Sequence, residues 1–223
     1  MDILHIDDAI IVVNKPAGLP VLPDGWVSGA PYLVRMLEDA YGSSDAAPGQ
    51  AIWIVHRIDK TTSGAIIFAR TADAHRNLNA QFESHTAEKI YHAVITGSPT
   101  WEAMTARHPL RTNVGHKHRT AVDAKRGKPA ETEFRVLHRF SGYSLLEARI
   151  LTGRTHQIRA HAYAIGYPLL GDSLYGSTES RLIGRPALHA QSLTIIHPAT
   201  GERQTFIAPY PVDFSELLER LNA

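Results

Sequence analysis

Asp59 lies two residues after Arg57 and just ahead of a Thr61-Thr62-Ser63-Gly64 turn, inside the stretch HRIDKTTSGAIIFAR at residues 56–70. Apolar runs flank it, residues 51–55 before and 65–69 after. Charged groups wedged between two buried strands are costly unless paired or hydrogen-bonded. A structural ion pair would account for them, and so would a reaction that needs the charge. A junction between core strands can hold one carboxylate rigidly in a cleft, where it can act as base, metal ligand or nucleophile. No second Asp or Glu stands close by in sequence to complete a metal cage or a glycosidase pair. A lone nucleophilic Asp59 is therefore an open reading, beside the plainer one of a turn or cap residue.

Three other constellations carry chemistry. The first is TGRTHQIRAH at residues 152–161. On a helix capped by Thr155, His156, Arg159 and Tyr163 share one face, while Ile158, Ala162 and Ile165 form a buried stripe. That polar face reads either as solvated or as the seat of an Arg159 that ion-pairs with a site carboxylate and favours its charged form. The second is Lys89-Ile90-Tyr91, where a strand tyrosine either packs in the core or offers a flat surface to a base or sugar. The third is residues 107–128, with Arg107, Arg111, Lys117, Arg119, Lys125, Arg126 and Lys128 against Asp123 alone. Such a run is either a solvated loop or a phosphate-binding face.

The 13 histidines are scattered, and neither His116-Lys117-His118 nor any helical pair has dependable metal-ligand spacing. No metal site is expected. The phosphate-cradling glycine loops of ATP and dinucleotide sites are missing, as is Gly-x-Ser-x-Gly, so a nucleotide cofactor or a serine hydrolase is not indicated.

The elements that must position these groups follow from periodicity. Strands are predicted at 10–13, 51–55, 65–69, 88–95, 132–137, 144–150, 188–196 and 204–208, and helices at 30–41, 71–84, 155–165 and 215–221. Many strands with scattered helices and no regular βαβ alternation predict an α+β fold, with a mixed, mostly antiparallel central sheet and flanking helices. The 223 residues fit one domain, 1–223, with 43% hydrophobic content and a formal charge of +1. Without cysteines there are no disulfides or thiolate sites, and the apolar runs fall well short of the roughly 20 residues that span a bilayer. A soluble cytoplasmic protein, with no membrane partner, is the expectation.

His56-Arg57-Ile58-Asp59 followed by Thr62-Ser63-Gly64 resembles the HRLD-x-x-TSG signature of the RluA family of RNA pseudouridine synthases. Other landmarks of that family stand in order: Asn14-Lys15-Pro16-Ala17-Gly18, Lys89-Ile90-Tyr91-His92-Ala93-Val94, Gly127-Lys128-Pro129-Ala130-Glu131-Thr132, Gly153-Arg154-Thr155-His156-Gln157-Ile158-Arg159, and Gly166-Tyr167-Pro168-Leu169-Leu170-Gly171-Asp172 before Leu174-Tyr175-Gly176. Ile58 in place of leucine is a volume-conserving departure. The resemblance implies isomerisation of uridine in ribosomal or transfer RNA by base flipping, without metal or cofactor. It makes Asp59 the nucleophile and Arg159 its ionic partner. Tyr91 would pack on the uracil, and Arg57 would fill the gap left by the flipped nucleotide. With its first motif at residues 14–18, the chain reads as a compact, monomeric member without the small N-terminal RNA-binding domain of many relatives. RNA contact then falls to the basic segment 107–128, Arg111, Lys117 and Arg119 included. A non-catalytic RNA-binding module would keep that surface without needing Asp59, and a histidine-based metal hydrolase would need a cation.

Overall fold

A computed structural model of the chain describes residues 2–23, 29–42, 51–115, 118–176 and 180–223. In chain order the elements are β1 (Asp2–Ile6), β2 (Ile10–Lys15), α1 (Leu33–Tyr41), β3 (Trp53–Ile54), β4 (Ser63–Ala69), α2 (Ala72–Glu83), β5 (Glu88–Thr96), β6 (Ala103–Ala106), β7 (Leu110–Val114), β8 (Arg119–Val122), β9 (Thr132–Arg139), β10 (Tyr143–Ile150), α3 (Gln157–Ala164), β11 (Leu188–Ile196), β12 (Arg203–Ile207) and α4 (Val212–Asn222). The fold is mixed α/β, a large and mostly antiparallel sheet with a few helices, as the strand pattern predicts. Contacts group the chain into two compact units, Met1–Glu88 with Ala190–Pro209 and Lys89–His189 with Tyr210–Ala223.

In the first unit the strands lie in the order β1-β2-β4-β11, with β12 on β11 and β3 on β4. β2 and β4 pair antiparallel from Ile10↔Ala69 to Lys15↔Gly64. Every residue of β4 is buried, which explains an apolar run with no alternation. Helix α2 begins as predicted, with the Thr71 side chain accepting the Ala74 N–H, and buries Ala74 and Leu78 against Ile67, Leu193 and Ile195. Gly64 has φ +113°, and a Cβ there would sit 2.2 Å from the Ala190 carbonyl oxygen. Only glycine lets the start of β4 lie that close to β11.

Asp7, in the turn between β1 and β2, knots this unit together. Its Oδ1 accepts the N–H groups of Ala9 and Ile10, while Oδ2 lies 3.0 Å from His5 Nε2 and 2.8 Å from His197 Nε2. The Nδ1 of buried His197 accepts N–H groups from Ala199 and Thr200, so its ring proton belongs on Nε2, facing Asp7.

The second unit orders β5-β10-β9-β6 antiparallel, and β7 and β8 form a separate two-stranded ribbon. Phe214 and Leu217 of α4 pack with Val94, Leu170, Ile183 and Ala187. Periodicity predicts no strands at β1, β6, β7 or β8, whose four or five residues are too short for a clear period.

Three helix starts differ from expectation; α4 begins at Val212 rather than residue 215. Helix α1 begins at Leu33 rather than residue 30, because the N–H groups of Leu33 and Val34 bond to the carbonyls of Pro20 and Val21. Those donors need no further helical turn. Thr155 caps nothing: α3 starts at Gln157, behind a left-handed His156. The Gln157 amide instead ties the helix start to neighbouring segments. Its oxygen accepts from the Arg154 N–H and the Thr152 hydroxyl, and its nitrogen donates to the Glu131 carbonyl and Thr132 Oγ1.

Burial raises the Asp7 pKa, but hydrogen bonds from His5, Ile10 and Ala9 outweigh it, leaving about 2 against an ordinary 3.8. A depressed folded pKa gives stability that is present above 3.8 and lost as pH falls through about 2. Unfolding followed by urea titration across that acid range should show this loss, and Asp7→Asn should be less stable at neutral pH with a flatter acid limb.

Candidate active site

The turn that carries Asp59 runs from the end of β3 to the start of β4 in the first unit. Ile58, Thr62 and Ser63 are buried, Asp59 is half-buried and Arg57 is exposed. The Asp59 carbonyl accepts the Thr62 N–H at 3.0 Å, closing the turn. His56 anchors its entry, with Nε2 accepting the Ile67 N–H and the ring stacked on Phe82 at 4.5 Å.

Lys15 is the residue sequence reasoning passed over. Its side chain is fully buried, and Nζ donates to the carbonyls of Pro16, Leu19 and Lys60 at 2.8, 2.8 and 3.1 Å. Those acceptors match the donors of an ammonium and offset its desolvation. The Lys60 carbonyl also takes the Gly18 N–H at 2.8 Å. The Asn14–Gly18 motif is thereby clamped to the peptide that follows Asp59. A lysine ending a run of buried aliphatics was the available signal, since its charge must find acceptors nearby.

Tyr91, Lys89 and Arg159 belong to the second unit. Tyr91 is buried on β5, opposite Ala148 of β10. Lys89 lies two residues away on the same face, and its burial pushes the ammonium pKa down. On α3, Arg159 is only 6% exposed, so the solvated-face reading fails. Within its unit its carboxylate partner is Asp172, wholly buried, with Nε to Oδ2 at 2.7 Å and Nη2 to Oδ1 at 2.8 Å. This is the bidentate fork that suits a guanidinium. Asp172 also accepts the Leu174 N–H. Sequence alone gives Asp172 no such role, because only folding brings its carboxylate to the guanidinium.

The predicted common face of His156, Arg159 and Tyr163 does exist, and it converges on Tyr175. The Arg159 guanidinium lies 5.2 Å from that ring's centre, the Tyr163 ring 6.1 Å, and His156 Nδ1 3.3 Å from the hydroxyl. The Tyr175 hydroxyl accepts the Thr120 N–H and donates to the Thr120 carbonyl, both at 2.9 Å. Burial raises its pKa, so it stays protonated and able to donate. One tyrosine thus joins the paired arginine to strand β8.

The basic segment is the β7–β8 ribbon and its flanks, not a loop. Arg111 pairs with Asp123 at 3.2 Å. The Asp123 carboxylate, its pKa lowered chiefly by the Arg126 N–H, also caps the Lys125 N–H. Arg107 pairs with Glu131. Arg119 lies over the Tyr163 ring, and the side chains of Lys125, Arg126 and Lys128 are exposed. Lys117 and His116 fall outside the described residues. His161 is buried between Thr132 Oγ1 and the His108 carbonyl, and burial lowers its pKa.

Among the described residues, His5, Asp7 and His197 bring potential ligand atoms within 4.8 Å of one another. A cation there would have to displace the Nε2 proton that His197 directs at Asp7, so the donor set fits the proton better than a metal.

Removing one partner of a buried ion pair leaves the other charge uncompensated, at a cost of about 3–5 kcal/mol. Asp172→Asn should approach that loss in denaturant unfolding, well above the effect of Glu147→Gln on the exposed Arg135–Glu147 pair.

The model of the family described as RNA pseudouridylate synthase matches residues 9–164, a span holding Asp59, Tyr91 and Arg159. An uncharacterized RNA pseudouridine synthase of Synechocystis sp. is 41% identical over 228 residues, covering 98% of this chain and 68% of that one. Ribosomal large subunit pseudouridine synthase D of Pseudomonas aeruginosa is 38% identical over 238 residues, covering 99% and 72%. Among solved structures, Human RNA Pseudouridylate Synthase Domain Containing 1 aligns with TM-score 0.77 and 25% identity over 100% of this chain and 94% of that one. The family match over most of the chain and relatives at 38–41% identity show that the chain belongs to the RNA pseudouridine synthase family, a family of isomerases.

Proposed function

We propose that this chain converts a uridine of ribosomal RNA to pseudouridine with Asp59 as nucleophile. The observation that carries the reading is the half-buried carboxylate on a turn clamped by Lys15, within the residues matched to the family. Ribosomal rather than transfer RNA is favoured by relatives named ribosomal large subunit pseudouridine synthase D. The reaction breaks the bond from uracil N1 to the ribose, turns the base and rejoins it through C5. The C5 proton leaves and N1 gains one, so composition and oxidation state are unchanged. A stacked base cannot turn, so the nucleotide flips out at a cost of a few kcal/mol. Exposed Arg57 can stack its guanidinium where the base has left. Tyr91 and Arg159 keep the roles their motifs imply, toward the uracil and the reacting charge. The reading is of a cytoplasmic monomer that needs no metal or nucleotide cofactor.

Asp59→Ala and Asp59→Asn should abolish pseudouridine formation in ribosomal RNA from a deletion strain while RNA affinity stays within about threefold. Retained turnover would remove Asp59 from the chemistry and leave the RNA-binding-module reading. Neutralising Lys125 and Arg126 together should weaken RNA binding and reduce the slope of log affinity against log salt by about one for each phosphate no longer neutralised. An unchanged slope would make the ribbon a solvated hairpin.

A further inference from the structure

Between strand β8 and helix α3 lies a cavity of about 280 Å³, lined by Arg119, Val122, Ala160, Tyr163, Ala164 and Tyr175. Two of its side chains are open to water. Tyr163 is 44% exposed at the open C-terminal end of α3, and Val122 beside it is 43% exposed. The Tyr163 ring is nonetheless held. Gly176, at φ +90°, leaves the space that its edge occupies, since a Cβ there would come 3.1 Å from Tyr163 Cε2. Tyr175 borders it at 6.1 Å and is itself tied to Thr120. A rigid aromatic face open to water loses little conformational entropy on binding.

Over that face lies the Arg119 guanidinium, 5.9 Å from the ring centre. A base sandwiched between two planes needs roughly 7 Å, twice the 3.4 Å step of stacked bases. An outward movement of about an ångström by a long, flexible arginine would admit one. The small side chains of Ala160 and Ala164 leave the floor open, and exposed Lys125, Arg126 and Lys128, just beyond the end of β8, supply charge for a phosphate backbone.

We propose that this cavity binds a second unstacked nucleotide of the substrate RNA, its base sandwiched between Tyr163 and Arg119. The inference rests on the RNA reading above and adds to it a site separate from the one for the target uridine. Stacking on an aromatic and a guanidinium is tolerant of base identity, so the site recognises unpaired RNA rather than a particular letter.

The probes are a short single-stranded RNA carrying one 2-aminopurine, whose fluorescence falls on stacking, and a duplex of the same sequence. Wild-type protein should bind the single strand in preference and quench the probe. Tyr163→Ala should weaken single-strand binding by about tenfold and abolish the quenching, with duplex affinity little changed. Tyr163→Phe keeps the ring and should behave as wild type, and the retained duplex affinity of Tyr163→Ala separates lost stacking from a folding defect. Arg119→Lys keeps the charge without the plane and should lose most of the quenching, as Arg119→Ala does. Wild-type affinity and quenching in Tyr163→Ala would overturn the cavity proposal alone. Full quenching in Arg119→Lys would reduce Arg119 to a phosphate contact and overturn the sandwich. A wild-type protein that binds neither probe would overturn the RNA reading and the cavity with it.

Discussion

Arg159 and Asp172 are two full charges withdrawn from water, and such a pair persists only where its geometry and remaining hydrogen bonds offset the desolvation of both. The second unit is arranged around that requirement. The guanidinium is gripped through two nitrogens, the carboxylate takes a further backbone N–H from Leu174, and the Tyr175 ring lies against the charged plane. Tyr175 then reaches the backbone of Thr120, so the ribbon that carries the basic side chains is registered to the same pair. Helix α3 can be buried almost all round because its polar side chains are satisfied internally, Gln157 at its start and His161 in its middle.

The first unit holds a buried charge of its own. Lys15 takes its charge into a fully buried position and spreads it over three carbonyls, one of which follows Asp59. A carboxylate on a free loop would sample many positions. Here the turn is pinned at its entry by His56 and, beyond Asp59, by Lys15 and Gly18 at the Lys60 carbonyl and by fully buried β4. Pinning of this kind fixes the backbone that carries the carboxylate.

Local features were the legible ones. The Thr71 cap, the Ala74–Leu78 stripe and the bounds of β11 follow from residue type and period, because neighbours in sequence decide them. The start of α3 was misread for the opposite reason. Thr155 has the right chemistry for a cap, but Gln157 reaches Glu131 and Thr132, some 25 residues away, and wins by satisfying more groups at once. The ribbon was seen as a concentration of charge and not as two strands, since its pairing is too short to leave a period.

Family, reaction class and the candidate nucleophile were determined by the sequence alone, because they depend on which side chains occur in which order, and the order of motifs survives without coordinates. Partnership was decided only by the tertiary structure. That Arg159 is gripped by Asp172, that Lys15 is caged by carbonyls, and that Arg111 and Asp123 hold each other depend on distances of a few ångströms between separated segments. The physical reason is desolvation: a charge on a sequence is indifferent to its neighbours until folding removes water, and then it must find a partner within hydrogen-bond reach.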